Sequence, residues 1–125
     1  MKMVDTNIIL RFILRDNEEL ARQAAEIIIN NECLVTNEIA AEVVYVLSKI
    51  YNIDRAKTAS ELTKVLNLRS IKPTEDKVLR YAVKVYGEKS LDFADCLLMG
   101  YYLVYGYEIC TFDKKLAKTL QDIKM

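Results

Sequence analysis

The chain contains no histidine among its 125 residues, and it has only one proline and three glycines. The absence of histidine excludes zinc sites with imidazole ligands, Ser-His-Asp and Cys-His nucleophile systems, and histidine general bases. Any hydrolytic chemistry must therefore depend on carboxylates, and we expect it to use water activated by a metal ion. Few glycines and prolines leave few positions for tight turns, which favours helix.

Charge of one sign is not in excess, because 18 Lys and Arg residues balance 18 Asp and Glu residues. A protein that coats phosphates is usually basic, so the total charge gives no indication of nucleic-acid binding. The three cysteines form no CxxC pair and sit in apolar contexts, which is typical of reduced core residues. The acid at position 5 and the short apolar run at 96–107 argue against a signal peptide and a membrane span. We therefore expect a soluble, cytoplasmic protein.

Short apolar runs alternate with helical patterns, and the length suits a single domain over residues 1–125. Strands are predicted at residues 2–4, 33–35, 70–72 and 108–111, with a fifth short strand at Ile123. Helices are predicted at residues 7–15, 18–30, 36–50, 54–68, 74–86, 92–105 and 113–120. This alternation predicts an α/β fold, namely a three-layer α/β/α domain with a short-stranded parallel sheet flanked by helices.

Acidic residues from separate segments are expected at one edge of this sheet. Asp5 follows the first strand and Asp113 follows the fourth, while Asp92 and Asp95 open the helix after a glycine loop. Ligand sites of parallel sheets lie beyond the carboxyl ends of the strands, which is where these residues fall. Three of them, Asp5, Asp92 and Asp113, also stand where an aspartate would cap a helix, which is the structural alternative for each one.

A glutamate pair, Glu38 and Glu42, lies one turn apart on the helix after the second strand. Glu42 has apolar neighbours on both sides in the sequence, whereas Glu38 would suit the positive end of the helix. A cluster of carboxylates stays ionised only with a compensating cation, and oxygen-only ligation suits Mg²⁺ or Mn²⁺. Such ions activate water and clamp phosphodiesters, especially as a pair.

Four motifs resemble those of the PIN-domain family. Residues 4–11 (VDTNIILR) resemble its opening strand and Asp-Thr-Asn turn, and residues 37–47 (NEIAAEVVYVL) are similar to its second acidic helix. Residues 91–98 (LDFADCLL) and 111–116 (TFDKKL) resemble its third and closing motifs. The motifs follow the family's order across nearly the whole chain. The length without a further domain most resembles the VapC toxins of type II toxin–antitoxin pairs.

The resemblance implies a Mg²⁺- or Mn²⁺-dependent endoribonuclease, inhibited by a cognate VapB-like antitoxin. Metal-activated water would hydrolyse RNA phosphodiester bonds and leave a 5′-phosphate and a 3′-hydroxyl. The catalytic, metal-holding residues of the family match Asp5, Glu42, Asp95 and Asp113. Asp92, where the family varies, would help to hold a second ion.

Further residues are assigned supporting parts by the same resemblance. Thr6, Asn7 and Thr111 offer hydroxyl and amide groups that would hold waters or orient the carboxylates. From their positions in the sequence, Arg11 and Arg15, together with Lys114 and Lys115 after Asp113, are candidates for RNA contact, although exposed helical charge is the alternative for each one. The family generally forms homodimers. A face for self-association or for an antitoxin helix is expected among the tyrosines, which are Tyr45, Tyr51, Tyr101, Tyr102 and Tyr105.

The alternatives to this function are a receiver domain, a PIN nuclease outside a toxin–antitoxin pair and an inactive PIN binding module. A receiver domain would need adjacent acids after the first strand and a mid-chain phosphoacceptor aspartate, but the chain has no such acid pair and no suitable mid-chain aspartate. A PIN nuclease that processes RNA outside any toxin–antitoxin pair remains open, since only a neighbouring antitoxin gene would separate the two. A catalytically inactive PIN binding module also remains, although the complete acid set argues against it.

Overall fold

A three-stranded parallel sheet lies at the centre of the structure, a computed structural model that describes residues 1–124. In chain order the elements are β1 Lys2–Met3, α1 Thr6–Leu14, α2 Glu18–Asn30, β2 Cys33–Val35, α3 Asn37–Tyr45, α4 Arg55–Leu66, β3 Ile71–Pro73, α5 Asp76–Glu88, α6 Phe93–Tyr105 and α7 Lys114–Lys124. A π-helical segment, Val46–Ile50, continues α3. Helices flank the sheet, so the predicted α/β class is confirmed.

The strands follow one another across the sheet in the order β1, β2, β3. Cys33 of β2 pairs with Lys2 on one side and with Ile71 on the other. Cys33 and Val35 are completely buried, because the central strand turns these alternate side chains into the core. Parallel pairing places the carboxyl ends of all three strands at one edge, where α1, α3 and α5 begin.

The starts of the helices are determined locally by capping side chains. Asp5, Asn17, Thr36 and Asp54 each accept a hydrogen bond from the backbone N–H three residues later. This contact satisfies one of the amides that the first turn of a helix leaves without a partner. Two of these caps lie at strand ends, Thr36 directly after β2 and Asp5 separated from β1 by one residue, so they also fix how the chain leaves the sheet.

Two predicted strands are absent from the described residues 1–124. Residues 106–113 form no ladder there, although Ile109 packs against the core. A β-like pattern identifies residues that suit a strand, but a strand exists only where a partner completes its hydrogen bonds. Ile123 lies in α7 and not in a fifth strand, since it extends the helical spacing of the buried Leu116 and Leu120.

Helix α5 packs closely against α4 and α6 at two glycines. A Cβ atom built on Gly87 would lie 2.8 Å from Cβ of Ala59 in α4. A Cβ atom on Gly100 of α6 would lie 2.8 Å from the carbonyl oxygen of Val78 in α5. Both distances are too short for real atoms, so glycine is what permits these helices to approach.

All three cysteines are free thiols. Cys33 and Cys96 are buried, as predicted, whereas the prediction of a core position for Cys110 was wrong, because this residue is exposed. Among the helices of residues 1–124, none is both long and apolar enough to cross a bilayer.

Candidate active site

Asp5 sits at the junction of β1 and α1 and has two roles open to it. One carboxylate oxygen accepts a hydrogen bond from the N–H of Ile8 at 3.1 Å, so the capping alternative is real. That bond uses one acceptor position of an oxygen pair that offers about four. The exposed carboxylate of Asp5 therefore caps α1 and keeps capacity to hold a cation.

Glu42 lies beside Asp5 in an open depression of about 390 Å³. Thr6 and Asn7 also line it, so four of the predicted residues share this depression. More than thirty positions of the chain separate Glu42 from the other three. The glutamate is exposed on α3 because the buried face of that helix is formed by Ala40, Val43 and Val44. Its apolar sequence neighbours thus do not bury it.

Asp92, Asp95 and Asp113 form a second group of acids. Asp95 is half-buried in the first turn of α6. Burial raises the pKa of Asp95, and the negative charges of Asp113 and Asp92 raise that pKa further. Asp113 therefore comes within electrostatic range of the α6 acids, although it belongs to a distant part of the chain.

The helix caps distinguish the members of this second group. Asp113 caps α7 through a 3.0 Å bond from the N–H of Leu116, and its own N–H donates to the hydroxyl of Thr111 at 2.9 Å. Asp92 stands at the cap position of α6, but its side chain makes no capping bond. The carboxylate of Asp92 consequently has no structural task at the start of its helix.

The predicted ligands do not converge on one point. Among residues 1–124, no three Asp, Glu, Cys or His side chains lie close enough together to hold one metal ion. The acids stand instead as the pair Asp5 and Glu42 and the group Asp92, Asp95 and Asp113.

The chemistry of the donors nevertheless suits a hard cation, since the candidate ligands are carboxylates. Beside Asp5, the buried hydroxyl oxygen of Thr6 has no hydrogen-bond partner within the described part of the chain. Thr6 also lines the depression of Asp5 and Glu42, but this unpartnered hydroxyl oxygen is itself buried.

The two arginines proposed for RNA contact are engaged locally. Arg11 forms a 2.9 Å ion pair with Asp16. Arg15 ends α1 with a left-handed backbone, and its guanidinium donates to the carbonyl of Phe12 and lies over the ring of that residue. RNA contact by either residue stays a prediction, and it would compete with these contacts.

The tyrosines divide between surface and interior. Tyr45, Tyr51 and Tyr105 are exposed, whereas Tyr101 and Tyr102 are half-buried. The ring of Tyr101 stacks with that of Tyr105, at a centroid distance of 6.0 Å. The hydroxyl of Tyr101 accepts a hydrogen bond from the side chain of Asn37 at 3.0 Å, which connects α6 to the start of α3.

The sequence did not predict the contacts that hold the segment before Asp92. Arg55 of α4 donates to the carbonyl oxygens of Tyr86 and Leu91. Lys115 of α7 donates to Ser90. No local pattern announces such contacts, because each joins residues at least 25 positions apart and the acceptors are mostly backbone carbonyls.

Comparisons with known proteins identify the family of the chain. Neither the curated proteins nor the solved structures yielded a match. The family described as PIN domain matches residues 2–120, which include all five candidate acids. The match extends from β1 into α7, so it covers nearly every element described above. The chain therefore belongs to the PIN domain family, whose members are generally metal-dependent nucleases.

Proposed function

We propose that this protein is a VapC-like endoribonuclease, which hydrolyses phosphodiester bonds of RNA with Mg²⁺ or Mn²⁺. The proposal depends chiefly on one observation, the group of Asp92, Asp95 and Asp113. The negative charges of Asp92 and Asp113 act there on the half-buried carboxylate of Asp95 and, together with burial, raise its pKa. A protein has little reason to maintain such repulsion for stability, whereas a cation compensates it and gives the acids a common task.

Carboxylates from both groups of acids would bind the cation. Asp95 and Asp113 would bind it together with Asp5 and Glu42, which requires the two groups to draw closer than they lie in residues 1–124. Asp92 would help with a second ion. A bound divalent cation supplies Lewis acidity, which polarises a phosphoryl oxygen and favours ionisation of water near neutral pH. Thr6, Asn7 and Thr111 would orient the carboxylates, since two of them line the depression and Thr111 accepts from the N–H of Asp113.

Cleavage of a structured RNA by purified protein tests this function, in Mg²⁺, in Mn²⁺ and in EDTA. The variant Asp5→Asn removes one candidate ligand but keeps the cap of α1, because asparagine caps as well as aspartate. Asp54→Asn is the matched control, since Asp54 is an exposed cap of α4 with the same bond geometry and no part in the site. The control removes the same charge.

The expected result is metal-dependent cleavage that Asp54→Asn retains and that Asp5→Asn lowers at least about a hundredfold, as befits a contribution of several kcal/mol. Fragments should carry 5′-phosphates, which a phosphate-dependent 5′-exonuclease would detect. Equal cleavage by Asp5→Asn would identify a contaminant. Absence of cleavage in every metal would favour the inactive binding module.

The toxin role forms part of the proposal and separates it from an RNA-processing nuclease. Inhibition of cleavage by the product of a small reading frame next to this gene would support a VapB-like antitoxin. If no such frame exists, the processing function is favoured. Nothing in the site itself distinguishes the two, because both need the same hydrolysis.

A homodimer is proposed as the assembled form. Its support is the number of large apolar side chains left exposed around α6, among them Leu103, Tyr105 and Tyr107. Interfaces are enriched in tyrosine relative to the remaining surface. Light scattering at micromolar concentration should give twice the mass of the 14.4 kDa chain. A monomeric mass would contradict the proposed dimer and would leave the proposed nuclease activity unaffected.

A further inference from the structure

Lys115 joins two segments that carry candidate metal ligands. Its ammonium donates to the carbonyl oxygen of Ser90 at 2.6 Å and to the Ser90 hydroxyl at 2.7 Å. Lys115 lies in the first turn of α7, two residues after Asp113, and Ser90 lies two residues before Asp92. One side chain thus connects the start of α7 to the loop between α5 and α6, residues 89–92.

Helix α4 also holds the same loop. The guanidinium of Arg55 donates to the carbonyl oxygen of Leu91 and, at 2.9 Å, to that of Tyr86. It also lies 3.9 Å from the centroid of the Tyr86 ring. The carbonyls of Ser90 and Leu91 are consequently both bound by cationic side chains, from two helices that are distant in the sequence.

These contacts leave little freedom to the residue that follows. The carbonyl of Asp92 accepts from the N–H of Cys96 at 3.0 Å and so begins α6. Its carboxylate, however, is not used in capping. The loop therefore fixes the backbone position of Asp92, while the carboxylate stays available to bind a cation. Asp95 follows one turn later in α6.

We propose that Lys115 is a positioning residue, which fixes the segment of Asp113 relative to that of Asp92 and Asp95 so that these carboxylates can take part in binding a divalent cation. The inference rests on the proposed function, since it assigns a task to the same acids. Lys115 acts through Ser90 and touches neither the cation nor RNA. Outer-shell partners of this kind orient ligands and typically change metal affinity or activity 10- to 100-fold when they are lost.

The alternative role for Lys115 is direct attraction of RNA phosphates. Two of the three ammonium N–H donors are engaged by Ser90, so the side chain is anchored and not free to follow a phosphate. The two roles predict different measurements. Loss of a positioning residue weakens metal binding in the absence of RNA, whereas loss of a phosphate contact raises KM and leaves metal binding unchanged.

The test compares four variants of the full chain. Lys115→Met removes the ammonium and keeps an unbranched stem, and Lys115→Arg restores a donor able to reach both Ser90 oxygens. Ser90→Ala removes one acceptor and leaves the backbone carbonyl. Lys118→Met is the control, because Lys118 is an exposed lysine one turn further along α7. Mn²⁺ is the probe, with its dissociation constant measured by calorimetry without RNA, and melting temperatures show that each variant folds.

Lys115→Met should raise the Mn²⁺ dissociation constant about 10- to 100-fold. Ser90→Ala should have a smaller effect in the same direction, and Lys118→Met and Lys115→Arg should stay within about twofold of the wild type, well under the tenfold that an outer-shell loss gives. In RNA cleavage, kcat of Lys115→Met should fall at low Mn²⁺ and recover at saturating Mn²⁺, with KM nearly unchanged. A misfolded variant would not recover in this way.

Unchanged Mn²⁺ affinity in Lys115→Met, with or without a higher KM, overturns the inference. So does a wild-type protein that binds no Mn²⁺. If the wild type cleaves RNA and Lys115→Met behaves as Lys118→Met does, the nuclease function stands and the positioning role fails. If Lys115→Met weakens Mn²⁺ binding but no form of the protein cleaves RNA, the positioning role stands and the proposed function fails.

Discussion

The contact between Gly87 and Ala59 allows a quantitative test of how α4 and α5 pack. In Gly87→Ala the new methyl carbon would lie 2.8 Å from Cβ of Ala59, and neither methyl can rotate away. Overpacking of this kind typically lowers the free energy of unfolding by about 1–3 kcal/mol. The better helix propensity of alanine offsets up to about 1 kcal/mol of that loss. We expect a net loss of about 1–2 kcal/mol in the free energy of unfolding.

The same contact predicts that a second substitution restores the lost stability. In Gly87→Ala with Ala59→Gly, the methyl group moves from one helix to the other, so volume and summed helix propensity are nearly conserved. Ala59→Gly alone should cost about 1 kcal/mol, as glycine does within a helix. The double variant should come within about 0.5 kcal/mol of the wild type, which corresponds to a coupling energy of about 2–3 kcal/mol between the two sites.

Thermal unfolding followed by circular dichroism measures these differences. An unfolding entropy of about 2.1 cal/mol/K per residue gives about 0.26 kcal/mol/K for 125 residues. Gly87→Ala should therefore lower Tm by about 4–8 °C, and the double variant should recover most of that loss. Additive effects of the two substitutions would show that the helices do not meet at these residues and would refute the packing described above.

The remaining predictions concern the acids. Asp113→Ala should lose about 1 kcal/mol of stability in thermal unfolding because it removes the cap of α7, whereas Asp113→Asn should retain it. Both should lose RNA cleavage, and cleavage by Asp113→Asn would show that the carboxylate serves only as a cap. The pKa of Asp95 is raised above its ordinary value of 3.8, so ionisation of this carboxyl lowers the free energy of unfolding. The full loss of stability is present above the pKa of the folded state, and none remains well below 3.8. In denaturant titrations without metal, the Asp95 contribution should therefore favour folding as the pH falls through the range just above 3.8, and Asp95→Asn should remove that contribution; an identical pH profile for the variant would contradict the assignment.

Local chemistry in the sequence determined most of the fold. The capping residue Asn17 and the apolar spacing that follows predicted α2 at residues 18–30, the bounds that the structure has. The central strand, Cys33–Val35, was likewise predicted with its bounds because both of its alternate faces carry apolar residues. Such signals depend on hydrogen bonds and spacing within a few positions, which the sequence contains in full.

The sequence also indicated the family, because four short motifs in a fixed order are informative even when each one is weak. The predicted fourth strand, in contrast, was wrong, since residues 108–111 suit a strand but complete no ladder within residues 1–124. The strand at Ile123 was wrong for a related reason. Its apolar side chain suited either periodicity, and packing beside Leu116 and Leu120 in the core selected the helix.

The arrangement of the acids was decided by the tertiary structure alone. The sequence identified Asp5, Glu42 and Asp95 as candidates, but only packing placed Asp5 beside Glu42 and brought Asp113 into the range of Asp95. The contact of Lys115 with Ser90 had no signal in the sequence. Its physical reason is general: a backbone carbonyl looks the same at every residue, so a long side chain finds its acceptor only when the folded chain presents one within reach.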